Sequence, residues 1–382
     1  MDKKPVIYFD NAASTHPKPE TVYAAADRQF RAGGSPGRSA HALAMQASEL
    51  VFETRLKLAA FLGVDSPERI IFTPGCTQSV NMVLRGIGLK AGDTVLVSAL
   101  EHNAVMRPLQ QMKTEKGISV ECIPYKPGRI LDLQDLSDAL ERLKPKLCVF
   151  MEASNVSGEI LDLSAVSNLC SAAAVPLLVD AAQSAGAFQS KLNASSPTFW
   201  CTSGHKGLFG MAGVGLLYVH PSFDLEPFVY GGTGSHSELF EMPLAYPDRL
   251  EPGTMPAPAI AALSAGLDFI ESSGIEKIVA HESSLCRKFL GWLKDRERFE
   301  VILPDLEKRL PLISFKLQDK DPAMLAELLD RDYGICTRAG LHCASSAHKV
   351  LGSIKTGLLR ISFGYFNTES ELKILCDALE HI

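Results

Sequence analysis

Short apolar runs alternate along this chain with segments whose apolar positions recur at helical spacing. Strands are predicted over 69–73, 94–98, 147–152, 175–180, 199–203 and 214–219. Helices are predicted over 76–85, 103–116, 133–143 and 163–174, several of them directly after a strand. Such alternation predicts a mostly parallel sheet with helices on both faces. The stretch 230–258 breaks the pattern: it is rich in Gly, Pro, Ser and acidic residues and reads as an extended excursion. Long loops of this kind in compact enzymes are often functional. Helices over 259–272 and 275–297 follow it, and strands over 312–317 and 358–362 then suggest an α+β lobe.

Composition narrows the classes. With 382 residues, 46% of them hydrophobic, the chain can form one large domain with a sizeable core and one smaller domain. A net charge of -6 gives no reason to expect nucleic acid or a membrane surface as a partner. The nine cysteines show no CxxC pair, which argues against a disulfide framework and against a zinc site, so no metal is expected. The opening Met1-Asp2-Lys3-Lys4-Pro5 leads into no signal-peptide core. No apolar run approaches the roughly 18 residues of a membrane span. A soluble, cytoplasmic protein with reduced thiols is expected.

Ligands of open α/β sheets sit at the carboxyl ends of the strands. Polar candidates fall there five times, at 73–77, 101–102, 154–155, 180–183 and 203–206. The apolar strand Pro176-Leu177-Leu178-Val179 ends on Asp180. Alone, Asp180 reads as a helix cap; as a ligand it would pair with a protonated pyridine nitrogen. Gln183 follows about one turn later. Lys206 stands among Gly204, Gly207 and Gly210; alone it reads as a surface lysine, and as a ligand it is a Schiff-base lysine. The turn Pro74-Gly75-Cys76-Thr77 opens a helix, where free N–H groups favour a phosphate, and Ser203 and His205 could serve the same group. His102 could stack on a cofactor ring and shuttle protons, or be a satisfied surface histidine. Arg360 lies inside the apolar run Leu358-Leu359-Arg360-Ile361-Ser362, where a buried guanidinium needs an anion: a substrate carboxylate or an internal salt bridge. Cys343 lies in Arg338-Ala339-Gly340-Leu341-His342-Cys343-Ala344. An imidazole next to it and a guanidinium five residues away could favour the nucleophilic thiolate. The thiols of Cys122, Cys148, Cys170, Cys201, Cys286 and Cys376 read as core or near-core. Cys336 sits in a strand-like run leading to Arg338.

Together these motifs resemble the cysteine desulfurases, within the class V aminotransferase fold of pyridoxal phosphate enzymes. The likeness runs from Tyr8-Phe9-Asp10-Asn11-Ala12-Ala13 to Arg360-Ile361-Ser362-Phe363-Gly364. The 338–344 segment is similar to the desulfurase and selenocysteine-lyase branch with a short cysteine loop. The resemblance implies a fold type I α/β enzyme: a large cofactor-binding domain, 20–255, around a mostly parallel seven-stranded sheet, and a small domain, 1–19 and 256–382, carrying Cys343 and Arg360. It implies that pyridoxal 5'-phosphate is carried by Lys206 and paired with Asp180, with His102 stacked on it and Asn155 and Gln183 around it. Thr77, Ser203, His205 and the Cys76 backbone would hold the phosphate, joined by Thr254 from the second subunit of a homodimer. Arg360, Asn155 and Arg338 would hold the substrate, with Ala13 and His41 nearby. L-cysteine would become L-alanine, its sulfur passing as a persulfide on Cys343 to an acceptor protein whose identity stays open. L-selenocysteine is the rival substrate. The same motifs would also suit a class V aminotransferase or β-elimination lyase in which Cys343 is incidental, and, more remotely, a non-catalytic binding protein on this fold. Two departures stand out: Cys76 occupies a position where relatives often carry threonine, and Gly231-Gly232-Thr233-Gly234-Ser235-His236 differs from the glycine-rich loop of iron–sulfur assembly members.

Overall fold

The computed structural model describes residues 6–37, 39–188, 191–192, 198–235 and 237–382. Residues 1–5 of the opening segment and His236 of the glycine-rich stretch lie outside the described residues. In chain order the first part comprises β1 (Ile7–Tyr8), α1 (Glu20–Ala32), α2 (Ala42–Leu62), β2 (Ile70–Thr73), α3 (Cys76–Gly86), β3 (Thr94–Val97), α4 (Asn103–Lys116) and β4 (Ser119–Cys122). It continues with α5 (Leu133–Leu143), β5 (Leu147–Met151), α6 (Leu163–Ala172), β6 (Leu177–Asp180), β7 (Thr198–Ser203) and β8 (Gly215–Val219). The remainder comprises α7 (Ala257–Ser273), α8 (Ile275–Lys294), β9 (Phe299–Val301), β10 (Leu312–Leu317), α9 (Pro322–Tyr333), β11 (Ile335–Cys336), β12 (Arg338–Gly340), α10 (Ser345–Val350), β13 (Leu358–Ser362) and α11 (Glu369–His381).

Seven strands form the main sheet in the order β2-β8-β7-β6-β5-β3-β4, parallel throughout except for β8. Residues alternate between its two faces. Leu177 and Val179 of β6 join a core with α2, α5, α6 and α7, while Leu178 joins the core formed with α3 and α4. Both faces are thus covered, which is why β5 and β6 read as unbroken apolar runs. A second, antiparallel sheet has the order β12-β13-β10-β9. The N-terminal β1 pairs with β11, and Asp10 bridges to Ser362, so the first residues are tied to the C-terminal part of the chain.

The helices over 103–116 and 133–143 lie where the spacing predicts them. The helix expected over 163–174 stops at Ala172, because Ala174 takes a left-handed conformation with φ 53°. The helix expected to reach 297 stops at Lys294, and the Arg296 guanidinium donates to the Trp292 carbonyl in its last turn. Among its described residues the excursion over 230–258 holds one short helical turn, Asp248–Leu250, before α7 begins at Ala257. Cys148, Cys170, Cys201 and Cys286 are buried as expected, and Cys376 is half-buried. Cys122 is a correction: it is exposed, since β4 is the edge strand of the main sheet. Among the described residues no helix is long and apolar enough to cross a membrane.

Candidate active site

Strand β6 is buried along its length and ends on Asp180. One carboxylate oxygen, Oδ1, accepts the Ala182 N–H at 2.9 Å and the Cys76 thiol at 3.2 Å. The neighbouring β7 ends at Ser203, and the turn after it carries His205 and Lys206. That turn lies directly on the 185–186 turn: a Cβ on Gly207 would run into the Ala185 carbonyl, and one on Gly186 into the Gly207 backbone. Glycine is therefore a steric requirement beside Lys206, whatever the lysine does.

On the other side of Asp180, α3 opens at Cys76 after Gly75, with no side-chain cap. The Cys76 N–H donates to Ser203 Oγ at 3.0 Å. With no side-chain cap on the helix, the Thr77 N–H and the positive end of the helix dipole stay available to an anion. His102 caps α4, its Nδ1 accepting the Ala104 N–H at 3.0 Å, which puts the ring proton on Nε2. Burial holds its pKa below the usual histidine value, so the ring is neutral at pH 7.

These ends converge on a cavity of about 170 Å³ lined by Cys76, Thr77, His102, Asn155, Asp180, Gln183, Ser203, His205 and Lys206, together with Ala104, Met151, Ala153 and Ala182. Nine of the ten residues expected around the cofactor thus meet in one place; the tenth, Thr254, is exposed and lies elsewhere. A smaller adjoining cavity, about 50 Å³, shares Gln183 and Lys206 and reaches Asn11, Ala12, Ser362 and Glu282. The Gln183 side chain donates to the Ala12 carbonyl at 2.9 Å.

Burial sets the electrostatics. It holds the Lys206 ammonium below the usual lysine value, with Asp180 opposing. It pushes His205 down to about 4, with Lys206 and Lys18 adding to the effect. Lys18 itself is lowered to about 8 by burial and donates to the His205 carbonyl and to Thr15 Oγ1, each at 2.6 Å. Glu101 accepts from the Ser98 hydroxyl at 2.5 Å and the Met151 N–H at 2.9 Å, and burial pushes it up to about 8.

Arg360 is buried in β13 and faces Arg338 across the β12–β13 ladder. Its guanidinium donates to Asp10 Oδ1 at 2.8 Å and to the Asn155 carbonyl at 3.0 Å, while its Nε has no partner among the described residues. The internal ion pair therefore exists. It sets one carboxylate against two guanidinium groups, and the local charge stays positive.

Cys343 is exposed. Its carbonyl accepts the Asn103 N–H at 2.8 Å, and the His342 carbonyl accepts from Asn155 Nδ2 at 2.8 Å. The loop is thus tied to the start of α4 and to a residue of the cavity. Consecutive left-handed residues, His342 at φ 48° and Cys343 at φ 55°, turn the two side chains apart. The expectation that an imidazole polarises the thiol needs correction. His342 points inward, its ring centroid 5.5 Å from that of His348, with neither ring nitrogen partnered among the described residues. Burial, with Arg360 and His348 nearby, pushes it down to about 2, so it offers the thiol no cation.

Ala13 is half-buried beside the smaller cavity without lining it. His41 is exposed and caps α2, its Nδ1 accepting the Ala44 N–H at 3.3 Å, and it lines neither cavity. Sequence reasoning gave no site role to Asp10, Lys18 or Cys201, and it marked Glu101 only as a polar group at a strand end. A signal existed for Cys201: period two along β7 puts it on the face of Ser203.

The chain matches the family described as aminotransferase class-V over residues 7–375. The chain belongs to the class-V aminotransferase family. It is similar to a protein of Methanothermobacter thermautotrophicus named as a probable cysteine desulfurase, 30% identical, covering 98% of this chain and 94% of that one. It also resembles the apo structure of cysteine desulfurase from Thermococcus onnurineus, with TM-score 0.91 and 30% identity over 98% of this chain and 94% of that one. A cysteine desulfurase from Escherichia coli in an S-sulfonic acid form gives TM-score 0.86 at 29% identity, with 98% and 94% covered. The α/β architecture with its mostly parallel main sheet is the one the strand–helix alternation predicts.

Proposed function

We propose that this chain is a cysteine desulfurase dependent on pyridoxal 5'-phosphate, which converts L-cysteine to L-alanine and leaves the sulfur as a persulfide on Cys343. The observation that carries the reading is the gathering of Lys206, Asp180, His102 and the uncapped start of α3 around one cavity, with the Cys343 carbonyl bonded to the residue after His102. Relatives named as cysteine desulfurases support it. The residues present fit the cofactor: His205 Nδ1 is buried without a partner among the described residues, α3 has no side-chain cap, and the Lys206 amine is desolvated.

Lys206 would hold the cofactor through Nζ, and Asp180 would pair with its ring nitrogen. Thr77, Ser203, His205 and the Cys76 N–H would surround the phosphate, and Gln183 and Asn155 the ring substituents. Bound pyridoxal phosphate supplies the electron sink that lets an amino-acid Cα proton leave. The lowered basicity of Lys206 keeps a larger share of its amine free to take that proton and return it. The neutral ring of His102 presents a face for stacking. Arg360 and Arg338, with one acidic partner between them, would hold the substrate carboxylate beside Asn155, near Ala13 and His41. Cys343 Sγ attacks the substrate sulfur: an S–S bond forms, the Cβ–S bond breaks, and its electron pair stays on Cβ, which a proton converts to the methyl of alanine. One cysteine and one enzyme thiol thus give alanine and an enzyme persulfide, which passes to an acceptor thiol.

We read the molecule as a homodimer with a large domain, 20–255, and a small one, 1–19 and 256–382. The pairing of β1 with β11 supports the return of the N-terminus to the small domain, although α7 shares its core with the main sheet. Dimerisation is supported by exposed apolar residues in the excursion, Tyr230, Phe240 and Leu244, and on α1 and α2, Phe30, Met45 and Phe52. The Arg55–Glu251 pair, bidentate at 2.9 Å, and the Phe72 N–H on Glu251 anchor the excursion's end to the chain's own sheet. That anchor keeps Thr254 out of its own cavity and free to reach a partner's. All nine cysteines are free thiols, which suits a cytoplasmic setting.

The test incubates the purified protein and pyridoxal phosphate with L-cysteine or L-selenocysteine, and follows alanine and the thiol masses. Alanine from L-cysteine with a persulfide on Cys343, both lost in Lys206→Ala, is the expected result. Alanine from L-selenocysteine alone would make the protein a selenocysteine lyase, and undiminished turnover of cysteine in Cys343→Ala would make Cys343 incidental.

A further inference from the structure

Two buried thiols meet at the cavity, one from its lining and one behind it, and the reaction outlined above uses neither of them. Cys76 opens α3, and Cys201 lies inside β7 beside Asp180 in the β6–β7 ladder. Their sulfurs are 3.5 Å apart. The Cys201 thiol donates to the Val179 carbonyl at 3.4 Å, which leaves the Cys76 hydrogen for Asp180 Oδ1 at 3.2 Å. The hydrogen-bonding contact with the Cys201 sulfur, then burial and the Asp180 carboxylate, push the Cys76 thiol well up, so it stays protonated and serves as a donor rather than a nucleophile. With the Ala182 N–H on the same oxygen, both donors reach Oδ1, and no hydrogen bond from the described residues reaches Oδ2.

We propose that Cys76 is a positioning residue: its thiol, backed by Cys201, fixes the rotation of the Asp180 carboxylate so that Oδ2 is the atom presented to the ring nitrogen of pyridoxal phosphate. The inference rests on the cofactor reading above. A carboxylate free to rotate would share its oxygens between the Ala182 N–H and the cavity. Two donors on one oxygen remove that freedom. A sulfur donor is weaker and longer than a hydroxyl, so the Cys201 sulfur behind Cys76 matters: it fills the space into which the thiol could otherwise turn.

The test compares ligands that differ only at the ring nitrogen. Apo protein is titrated with pyridoxal 5'-phosphate and with its 1-deaza analogue, in which carbon replaces that nitrogen, and binding is followed by absorbance. The quantity read is the ratio of the two dissociation constants. Cys76→Ala should shrink the wild-type preference for pyridoxal phosphate about five-fold, the worth of one modest hydrogen bond. Cys76→Ser, which restores a donor, should bring the ratio back. A purely structural role for Cys76 would weaken both ligands equally and leave the ratio unchanged, and that result overturns the inference while the cofactor reading stands. Wild-type protein that binds neither ligand overturns both.

Discussion

Glu282 gives a sharp physical test of how this protein is built. It lies on the buried side of α8 and lines the smaller cavity with Lys206 and Gln183. Burial pushes its carboxyl from 4.5 up to about 8, against a lowering from the Tyr365 backbone N–H. Between those two values the native protein holds a proton that the unfolded chain has released. Its stability contribution is therefore complete below pH 4.5 and declines as pH rises, by about 1.4 kcal/mol per pH unit. The decline ends near pH 8, where the native carboxyl also ionises. Glu282→Gln keeps the size and removes this one titration. The stability of the variant relative to wild type should then grow by about 4 kcal/mol between pH 5 and pH 8 and stay level above that. With an unfolding entropy of about 2.1 cal/mol/K per residue over 382 residues, the difference amounts to about 5 °C in Tm. Calorimetry on both proteins across that range reads it directly. Glu101, also pushed up to about 8 by burial, contributes equally to both and cancels. Parallel Tm–pH curves would refute the reasoning, and a gap that widened toward acid would mean that Glu282 is ionised in the native state.

Three further outcomes are expected. Arg360→Lys keeps the charge but loses the planar fork, so the KM for L-cysteine should rise at least ten-fold while pyridoxal phosphate affinity changes little; an unaltered KM would make Arg360 a partner of Asp10 only. Asp10→Asn leaves a buried guanidinium without its carboxylate and should cost about 3 kcal/mol in denaturant unfolding, while KM falls, because a more positive pocket remains for the substrate; a rise in KM would contradict the charge argument. Mixed dimers of Lys206→Ala and Thr254→Ala subunits should exceed both parents in activity, since one of the two sites regains both groups; a fully active monomer by light scattering would rule out the shared site.

How far the sequence alone carried depended on the kind of contact. The strand ends were legible because apolar runs stop abruptly at Asp180 and Ser203, and a parallel sheet gathers such ends on one edge. The gathering of Lys206 with Asp180 follows from β6 and β7 being neighbours. What period and spacing could not carry was long-range pairing. Asp10 meets Arg360 because β1 returns to the C-terminal part of the chain, 350 positions away in sequence. The short strands β11 and β12 hold two and three residues, too few to show alternation. The direction of His342 was equally hidden: its neighbour is exposed while it is buried, and only the paired left-handed conformations separate them.

That separation bears on how sulfur would leave the site. The carbonyls of His342 and Cys343 are both bonded, one to the Asn155 side chain and one to the start of α4. A cysteine held at two consecutive carbonyls, in a turn closed by the Ala344 N–H on the Leu341 carbonyl at 2.8 Å, cannot swing far without breaking those bonds and losing its left-handed conformation. Its side chain is nonetheless exposed. In the proposed reaction, then, the persulfide is not carried outward on an arm. It forms beside the cavity on a thiol already open to solvent, and the acceptor must come to it. An acceptor that approaches so closely needs a surface shaped to the ground between α4 and the 338–344 segment. Lengthening the loop with two glycines after Gly340 would loosen both bonds. Persulfide formation should slow while a small thiol still drains the persulfide at an unchanged rate. Slower drainage by a small thiol with unchanged formation would show instead that the fixed loop serves release rather than attack.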